Sequence, residues 1–542
     1  MDTGMIVRVV RSAITRVSGE EPPNEEKPPR VAMVVDVADA NFIGGFIPAI
    51  VEKQKHPYSR PEFLYFTEEE TALSADQSVR PVICAKQPEK MPLMAGYAEV
   101  INAGKTFENE DQACAKVLNL SQQGTEAEEA RDEIGPSNRR VGALRRPSDE
   151  DALMGVDVDS STDASGDGQI RAEAVLFGLY DGHAGSGAAL MAAKCLHEHV
   201  KSRLCEVLEM ILHLDRQESY VLARRKSESA YTGSESSSST SFPRITSDSL
   251  VIGALEAAFV DMDDQIAEEK QTWKIPGGCA TLCVLVFLGK VYVANAGDCR
   301  AVLVTSDGVR QMSRDHTPAT ERKRLQTLAY RQPELIGSSF SRLEYSRSLT
   351  KKDLKRKVLY RDWFMDGWAS KIVRDVDLRP PMISDRLKKK RLLHTIGVSR
   401  GLGDHHLLTA DDKLAIKPFL SPVPEVQVLS IRSLASVSSL DVLIIASDGL
   451  WDVLTNEDAA RIVRSSLSSF DEGDPSRYTQ AAQELVAMAR GNPGDHYRWT
   501  LNVGGPASTD DISAFVIPLK YALAPLQNGD DEEDDELLSL DS

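Results

Sequence analysis

Short apolar runs bounded by Gly, Asp or Pro recur along this chain. VLFGLY (175–180), TLCVLVFLG (281–289), VYVANAG (291–297), VLIIASDG (442–449) and ISAFVIP (512–518) are rich in β-branched side chains and predict buried strands. Residues 187–212, 250–270, 456–467 and 479–490 repeat apolar positions every three or four residues, the period of a helix. Gly289-Lys290 sits between two strand-like runs and marks a hairpin. Hairpins among the strands, with helices elsewhere, predict an α+β arrangement of antiparallel sheets covered by helices.

Other stretches lack this patterning. Residues 18–30 are a Pro/Glu linker, and the regions near 121–172 and 215–247 are polar, low in large apolar side chains and expected to be disordered insertions. Seven acids in a row, Asp530 to Glu536, mark a solvated tail. Residues 4–17 place Ile6, Val9, Val10, Ala13, Ile14 and Val17 on one helical face, with Arg8, Arg11 and Arg16 mostly off it. That pattern fits a short interfacial helix on an anionic membrane; a packed terminal helix and a mitochondrial presequence share it. The expected organisation is an amphipathic segment and linker over 1–30, an extension over 31–96 packed on the main domain, that domain over 97–519, and an acidic tail over 520–542.

Charge and cysteine usage narrow the function. The 542 residues carry a formal charge of −19, which disfavours non-specific nucleic-acid binding. Against that background, residues 321–391 hold 20 Lys/Arg and 9 Asp/Glu, a net charge of +11. Seven cysteines with no CxxC pair fit reduced thiols in an intracellular protein. No apolar window approaches the roughly 18 residues of a spanning helix, and the arginines near the start interrupt any secretory signal.

The candidate chemistry lies at strand ends. NED (109–111), YDGHAG (180–185), NAGDCR (295–300), SDGLWDV (447–453) and TDDIS (509–513) each set acids beside glycine or at a strand tip. Glycine lets backbone approach a ligand, and an Asp at a strand end projects from a rigid platform. A carboxylate-rich set without a Cys/His cluster suits Mg²⁺ or Mn²⁺ rather than Zn²⁺. Converging carboxylates repel unless cations neutralise them. Two such cations about 3.5–4 Å apart share and acidify a water and align phosphoryl oxygens. His183, two residues after Asp181, is placed to protonate a leaving oxygen.

In this order, these segments resemble the metal-dependent protein phosphatases, the type-2C serine/threonine phosphatases, from about Tyr97 to Leu519 outside the polar loops. The resemblance implies a four-layer α-β-β-α sandwich of two antiparallel β-sheets, with a binuclear metal site at one end. It implies that Asp181 bridges both metals and the Gly182 carbonyl is a ligand. Glu110 and Asp111 match the acidic pair that holds the metals partly through water, and Asp448 and Asp510 match the remaining core ligands. Asp298 and Asp452 match the aspartates that form a third, weaker site with Asp448. The implied cofactors are therefore two core Mg²⁺ or Mn²⁺ ions and a third. His183 matches the general acid, and Asp404 in SRGLGD completes a further signature read as structural. The implied reaction is direct attack on phosphorus by a hydroxide that bridges the metals.

GYAEVINAGK (96–105), DGHAGSGAA (181–189), YVANAGDCRA (292–301), TIGVSRGLGDH (395–405) and DDISAFVIP (510–518) resemble the H/J/M subgroup of that family. The subgroup resemblance implies phosphorylated Rab GTPases as a substrate class. A cytoplasmic location follows, with peripheral contact to internal membranes such as Golgi through residues 4–17. Two positions depart from the family. Many members carry a phosphate-binding arginine four residues before the Glu of the acidic pair; here that place is Thr106, beside Lys105. A lysine is a point charge without the guanidinium fork, so phosphate capture shifts to the metals, Lys105 or other cations. Asp511 stands where many members have Asn, and either adds negative charge beside the metals or faces solvent.

The basic stretch 321–391 replaces a short family flap beside the active site. Its clusters, Lys388, Lys389 and Lys390 among them, suggest a flap that steers acidic phosphoproteins, with Trp363, Phe364 and Trp368 as its apolar anchor. The alternatives to an active phosphatase are a catalytically weak scaffold on the same fold and a two-metal nuclease or nucleotidase. The full set of core acids and the motif order disfavour both.

Overall fold

The computed structural model describes residues 60–123, 169–229, 245–273, 275–384, 389–434, 436–494 and 498–523, all within one compact unit. The expected amphipathic segment 4–17, the linker 18–30, Lys388 and the acidic run 530–536 lie outside these residues. In chain order the strands are β1 (Ile83–Cys84), β2 (Gly96–Val100), β3 (Asp111–Gln123), β4 (Gln169–His183), β5 (Gly278–Phe287), β6 (Lys290–Ala296), β7 (Arg300–Thr305), β8 (Gly308–Gln311), β9 (Glu344–Tyr345), β10 (Lys357–Arg361), β11 (Ala369–Ile372), β12 (Leu402–Gly403), β13 (Glu425–Ser430), β14 (Val442–Ala446) and, after a short hairpin, β15 (Ile512–Pro518). The main helices are α1 (Gly187–Glu206), α2 (Leu208–Ser229), α3 (Ser247–Trp273), α4 (Arg322–Arg331), α5 (Asn456–Leu467) and α6 (Arg477–Arg490).

Two antiparallel sheets stack face to face. One runs β1-β2-β15-β14-β7-β8 and the other β13-β6-β5-β4-β3, with β12 on β5. The period-two alternation of β5 shows why. Ala280, Leu282, Val284 and Val286 point at Leu443, Ile445, Phe515 and Ile517 of the opposite sheet. Cys279, Cys283, Leu285 and Phe287 point the other way, onto Leu196, Leu255 and Phe259 of α1 and α3. Val302, Ile444 and Val516 on the outer face of the first of these sheets meet Val463 and Leu485 of α5 and α6. Three apolar layers thus separate four structural layers, the expected α-β-β-α sandwich, and each buried Leu, Ile or Val contributes roughly 1.5–3 kcal/mol. At the β5–β6 hairpin, Leu288 and Gly289 carry φ of 52° and 70°, the two left-handed residues of a tight turn whose twist matches the strands.

Both polar insertions are narrower than their composition predicts. Residues 121–123 pair with 169–171 as the far end of the β3–β4 hairpin, because a strand end tolerates polar side chains on both faces. Helix α2 carries residues 215–229, beyond the apolar periodicity that ends near 212.

Antiparallel pairing brings every acid-bearing strand tip to one end. The start of β3 meets the end of β4 (Asp111 opposite Asp181), and the end of β14 meets the start of β7 (Ala446 opposite Arg300) and lies close to the start of β15 (Ala446 opposite Ala514). The basic stretch 321–391 forms a flap of α4 and the small sheet β11-β10-β9. Its anchor is not the tryptophan group. Phe364 is 64% and Trp368 43% exposed, whereas Tyr345, Val358 and Val373 fill the core of the flap sheet. Trp363 packs at a tilt on Tyr330 and edge-to-face with Phe364, and Arg361 lies 4.7 Å over Trp368.

Glu321 ties the base of the flap to the body. Its buried carboxylate accepts from Arg324 at 2.7 Å, Arg400 at 2.8 Å and the Ser399 hydroxyl at 2.9 Å. Burial alone would raise its pKa, but the two guanidinium groups outweigh it and hold the group at about 2, below the ordinary 4.5. A depressed folded-state value contributes about 3 kcal/mol above pH 4.5, lost as the pH falls toward 2. Glu321→Gln is therefore expected to lower the thermal midpoint by several degrees at neutral pH, with the gap to wild type narrowing toward about pH 3. Circular dichroism melts check this; a gap of constant size across that range would contradict it.

Candidate metal centre

Asp181, Asp298 and Asp448 converge from β4, the β6–β7 turn and the tip of β14. One carboxylate oxygen of each lies within 4.8 Å of the others, and all three side chains are half-buried. Burial first, then Asp448, Asp111 and Asp298, push the Asp181 carboxyl well above the ordinary carboxylate range. Asp298 is raised to about 7 by burial and Asp448, with Lys389 opposing. Asp111, wholly buried, is raised by burial and then by Asp511. Such a cluster of like charges is unfavourable without cations, and its all-oxygen donors match hard divalent ions such as Mg²⁺ or Mn²⁺.

Backbone geometry sets these carboxylates. The Gly182 N–H donates to the Glu110 carbonyl at 3.1 Å, and a Cβ at Gly182 would lie 2.6 Å from that oxygen, so the strands close up only around glycine. Glu110 accepts from the Gly185 N–H at 2.7 Å. The Ser447 hydroxyl donates to Asp111 at 2.8 Å. Asp511 is buried rather than solvent-facing. It accepts from the Asn102 N–H at 2.7 Å and the Glu110 N–H at 3.1 Å, tying the β2–β3 loop to β15.

The remaining expected site residues fall around this centre. Lys105 donates to Asp510 at 2.5 Å. Lys389, from the flap, reaches Asp448 at 2.6 Å and Asp452 at 2.7 Å, so it sits on two of the carboxylates expected to be ligands. Asp452 is raised by burial and Asp448 despite that lysine. Lys390 lines a separate cavity in the flap.

Two residues that sequence reasoning does not place in the site complete it. Asp404, with φ of 56° and 3% exposure, bonds His183 Nε2 at 2.6 Å. Burial would lower the His183 pKa, but that carboxylate outweighs it and raises it. Asp404 therefore positions the candidate acid and leaves Nδ1 as the nitrogen able to donate to a leaving group. Arg80, fully buried, donates to the carbonyls of Ile101 and Ser508 at 2.7 Å and of Asp510 at 2.8 Å, while stacking on Trp499. The only sequence signal for Asp404 is its glycine-flanked motif; Arg80 has none.

A two-sheet sandwich with carboxylates gathered at one end defines a metal-dependent phosphatase. A sequence profile described as protein phosphatase 2C matches residues 156–376 and 379–492, and the chain belongs to that family of protein-serine/threonine phosphatases. Among its relatives, protein phosphatase 1H of Danio rerio is 43% identical over 494 residues, covering 86% of this chain and 92% of that one. Protein phosphatase 1H of Homo sapiens is 40% identical over 518 residues (90% and 98%), and protein phosphatase 1J of Mus musculus 40% over 467 (85% and 86%). Among the described residues no helix is long and apolar enough to cross a membrane.

Proposed function

We propose that this phosphatase removes phosphate from phosphoserine or phosphothreonine in folded proteins, with phosphorylated Rab GTPases as the substrate class, by direct attack of water on phosphorus. The convergence of Asp181, Asp298 and Asp448 within 4.8 Å carries the reading. Asp181, Glu110, Asp111, Asp448, Asp510 and the Gly182 carbonyl would hold two core ions, and Asp298 and Asp452, with Asp448, a third. When bound, divalent ions supply charge neutralisation, polarise the phosphoryl group and acidify water. The chain's own residues do the rest. Asp404 holds His183 ready to give a proton to the departing serine or threonine oxygen. Lys105, half-exposed beside Asp510, supplies a positive charge for the incoming phosphate.

The flap supports a protein rather than a small-molecule substrate. Phe364 and Trp368 stand exposed on it, with Arg361 stacked on the latter, a combination suited to protein contacts. The Rab assignment rests on the H/J/M subgroup motifs and the similarity to phosphatases 1H and 1J. A cytoplasmic protein held peripherally on internal membranes such as Golgi through residues 4–17 fits such a substrate. The intact set of core acids argues against a catalytically weak scaffold.

Asp298→Ala removes one ligand of the third site and should slow turnover while leaving the two-ion core able to bind phosphate. The variant is therefore expected to retain substrate. Capture from cells followed by mass spectrometry should enrich phosphorylated Rab proteins over wild type; an unrelated set of phosphoproteins would overturn the Rab assignment.

A further inference from the structure

The flap contains a cavity of about 180 Å³ whose walls mix cations with apolar side chains. Two acids line it, and both are already matched. Glu344 is held by Arg361 at 2.6 Å, and Asp377 by Lys371 at 2.6 Å and the Tyr345 hydroxyl at 2.8 Å. Of the lining cations, Arg347 is taken by Asp353. Arg379, Lys390 and His394 have no carboxylate partner among the described residues. Among the described residues the cavity therefore presents two full positive charges and an imidazole, with no unmatched acid lining it, on a chain whose overall charge is −19. Leu349, Pro380 and Ile383 supply the apolar part of the wall.

Its place beside the metal centre follows from chain connectivity. Lys389 reaches Asp448 and Asp452, and the next residue, Lys390, lines the cavity. Consecutive Cα atoms are about 3.8 Å apart, so the two sites are separated by no more than that step and the reach of two lysine side chains. A peptide whose phosphate enters the metal centre can span that distance with a few residues.

We propose that this cavity is a second anion subsite, which takes an acidic group of the same substrate segment, a carboxylate or a second phosphate, several residues from the phosphate being removed. The inference rests on the phosphoprotein-hydrolase reading above and adds a rule to it: substrates with acidic flanks are preferred. Arginine suits the role because its planar fork binds either oxyanion through paired hydrogen bonds. The apolar wall lets an aliphatic neighbour of that acid pack and desolvate the contact.

The test uses the full chain with Mn²⁺ and phosphothreonine peptides that carry a Glu pair, a phosphoserine or a Gln pair, walked along the flank. Wild type should favour one acidic register over the Gln peptide. Arg379→Gln, at an exposed position, should cut kcat/KM for that register by about five- to tenfold, leave the Gln peptide unchanged, and be rescued only in part by Arg379→Lys, which restores the charge without the fork. Arg379→Glu should reverse the preference toward a Lys-flanked peptide. Retention of the Glu over the phosphoserine peptide identifies carboxylate as the ligand, and the converse identifies phosphate. Fluorescence anisotropy of the dephosphorylated peptides reads the subsite without chemistry. No flank preference in wild type, or equal losses on all peptides in Arg379→Gln, would overturn the subsite while leaving the phosphatase intact. A wild type inert toward every peptide and an aryl phosphate would instead overturn the hydrolase reading, with anisotropy still reporting on the cavity.

Discussion

Asp448→Asn is expected to lower phosphate release by at least about a thousandfold and at the same time to leave the metal-free protein as stable as wild type or more so. Asp448 is the charge that most raises Asp181 after burial, and it stands second among the causes for Asp298 and Asp452 as well. Converting it to a neutral amide relieves repulsion in the ion-free state. The same change removes a donor from the trio that would grip the cations, which supply several kcal/mol of transition-state stabilisation, and each 1.36 kcal/mol is tenfold in rate. Chelation of wild type should give a comparable loss. Thermal melts separate the two effects. Mn²⁺ should raise the wild-type midpoint, because ligands that bind only the folded state stabilise it, and should do so far less for the variant. A variant that kept metal-dependent turnover would remove Asp448 from the site.

His183→Gln should show a loss that depends on the leaving group. A serine or threonine alkoxide departs poorly unless it is protonated, whereas a nitrophenolate departs unaided. General acid catalysis contributes about 10²- to 10⁴-fold, so phosphopeptide turnover should fall by that order while an aryl phosphate with an acidic phenol loses far less. Asp404→Asn should follow the same substrate pattern with a smaller loss, because the 2.6 Å contact positions the imidazole and raises its proton affinity without itself touching substrate. Rates measured across phenols of graded acidity provide the check. For either variant, equal losses across the series would mean that proton donation is not the role of this pair.

Much of this site is legible in the order of residues alone. β-branched runs ending in Asp-Gly or Asp-Asp announce strands whose tips carry acids, and the carboxylates of Asp181, Asp298 and Asp448 do come together. Asp404 reads only as structural, because 221 residues separate it from His183 and no local pattern encodes that return. Arg80 looks like any surface arginine in sequence, and only the closed fold shows it holding the Asp510 loop from inside. Lys389 reads as one of three docking cations; the flap turns it onto Asp448 and Asp452 instead. The aromatic trio reads as an anchor and is not one. Hydrophobicity alone does not say whether a side chain finds a partner, and Val358 and Val373 with Tyr345 already fill the flap core.

The sequence by itself determined the kinds of element, their antiparallel logic and the family to which the acids belong, since strand and helix periodicity and glycine-flanked carboxylates are short-range features. Only the tertiary structure decided which charges face each other. Asp404 on His183, Arg80 beneath Asp510, Lys389 across two carboxylates and the unmatched cations of the flap cavity all depend on distant segments coming together. Electrostatic partnership falls off within a few ångströms in a folded interior, and separation along the chain says nothing about distances of that size until the sheets have closed.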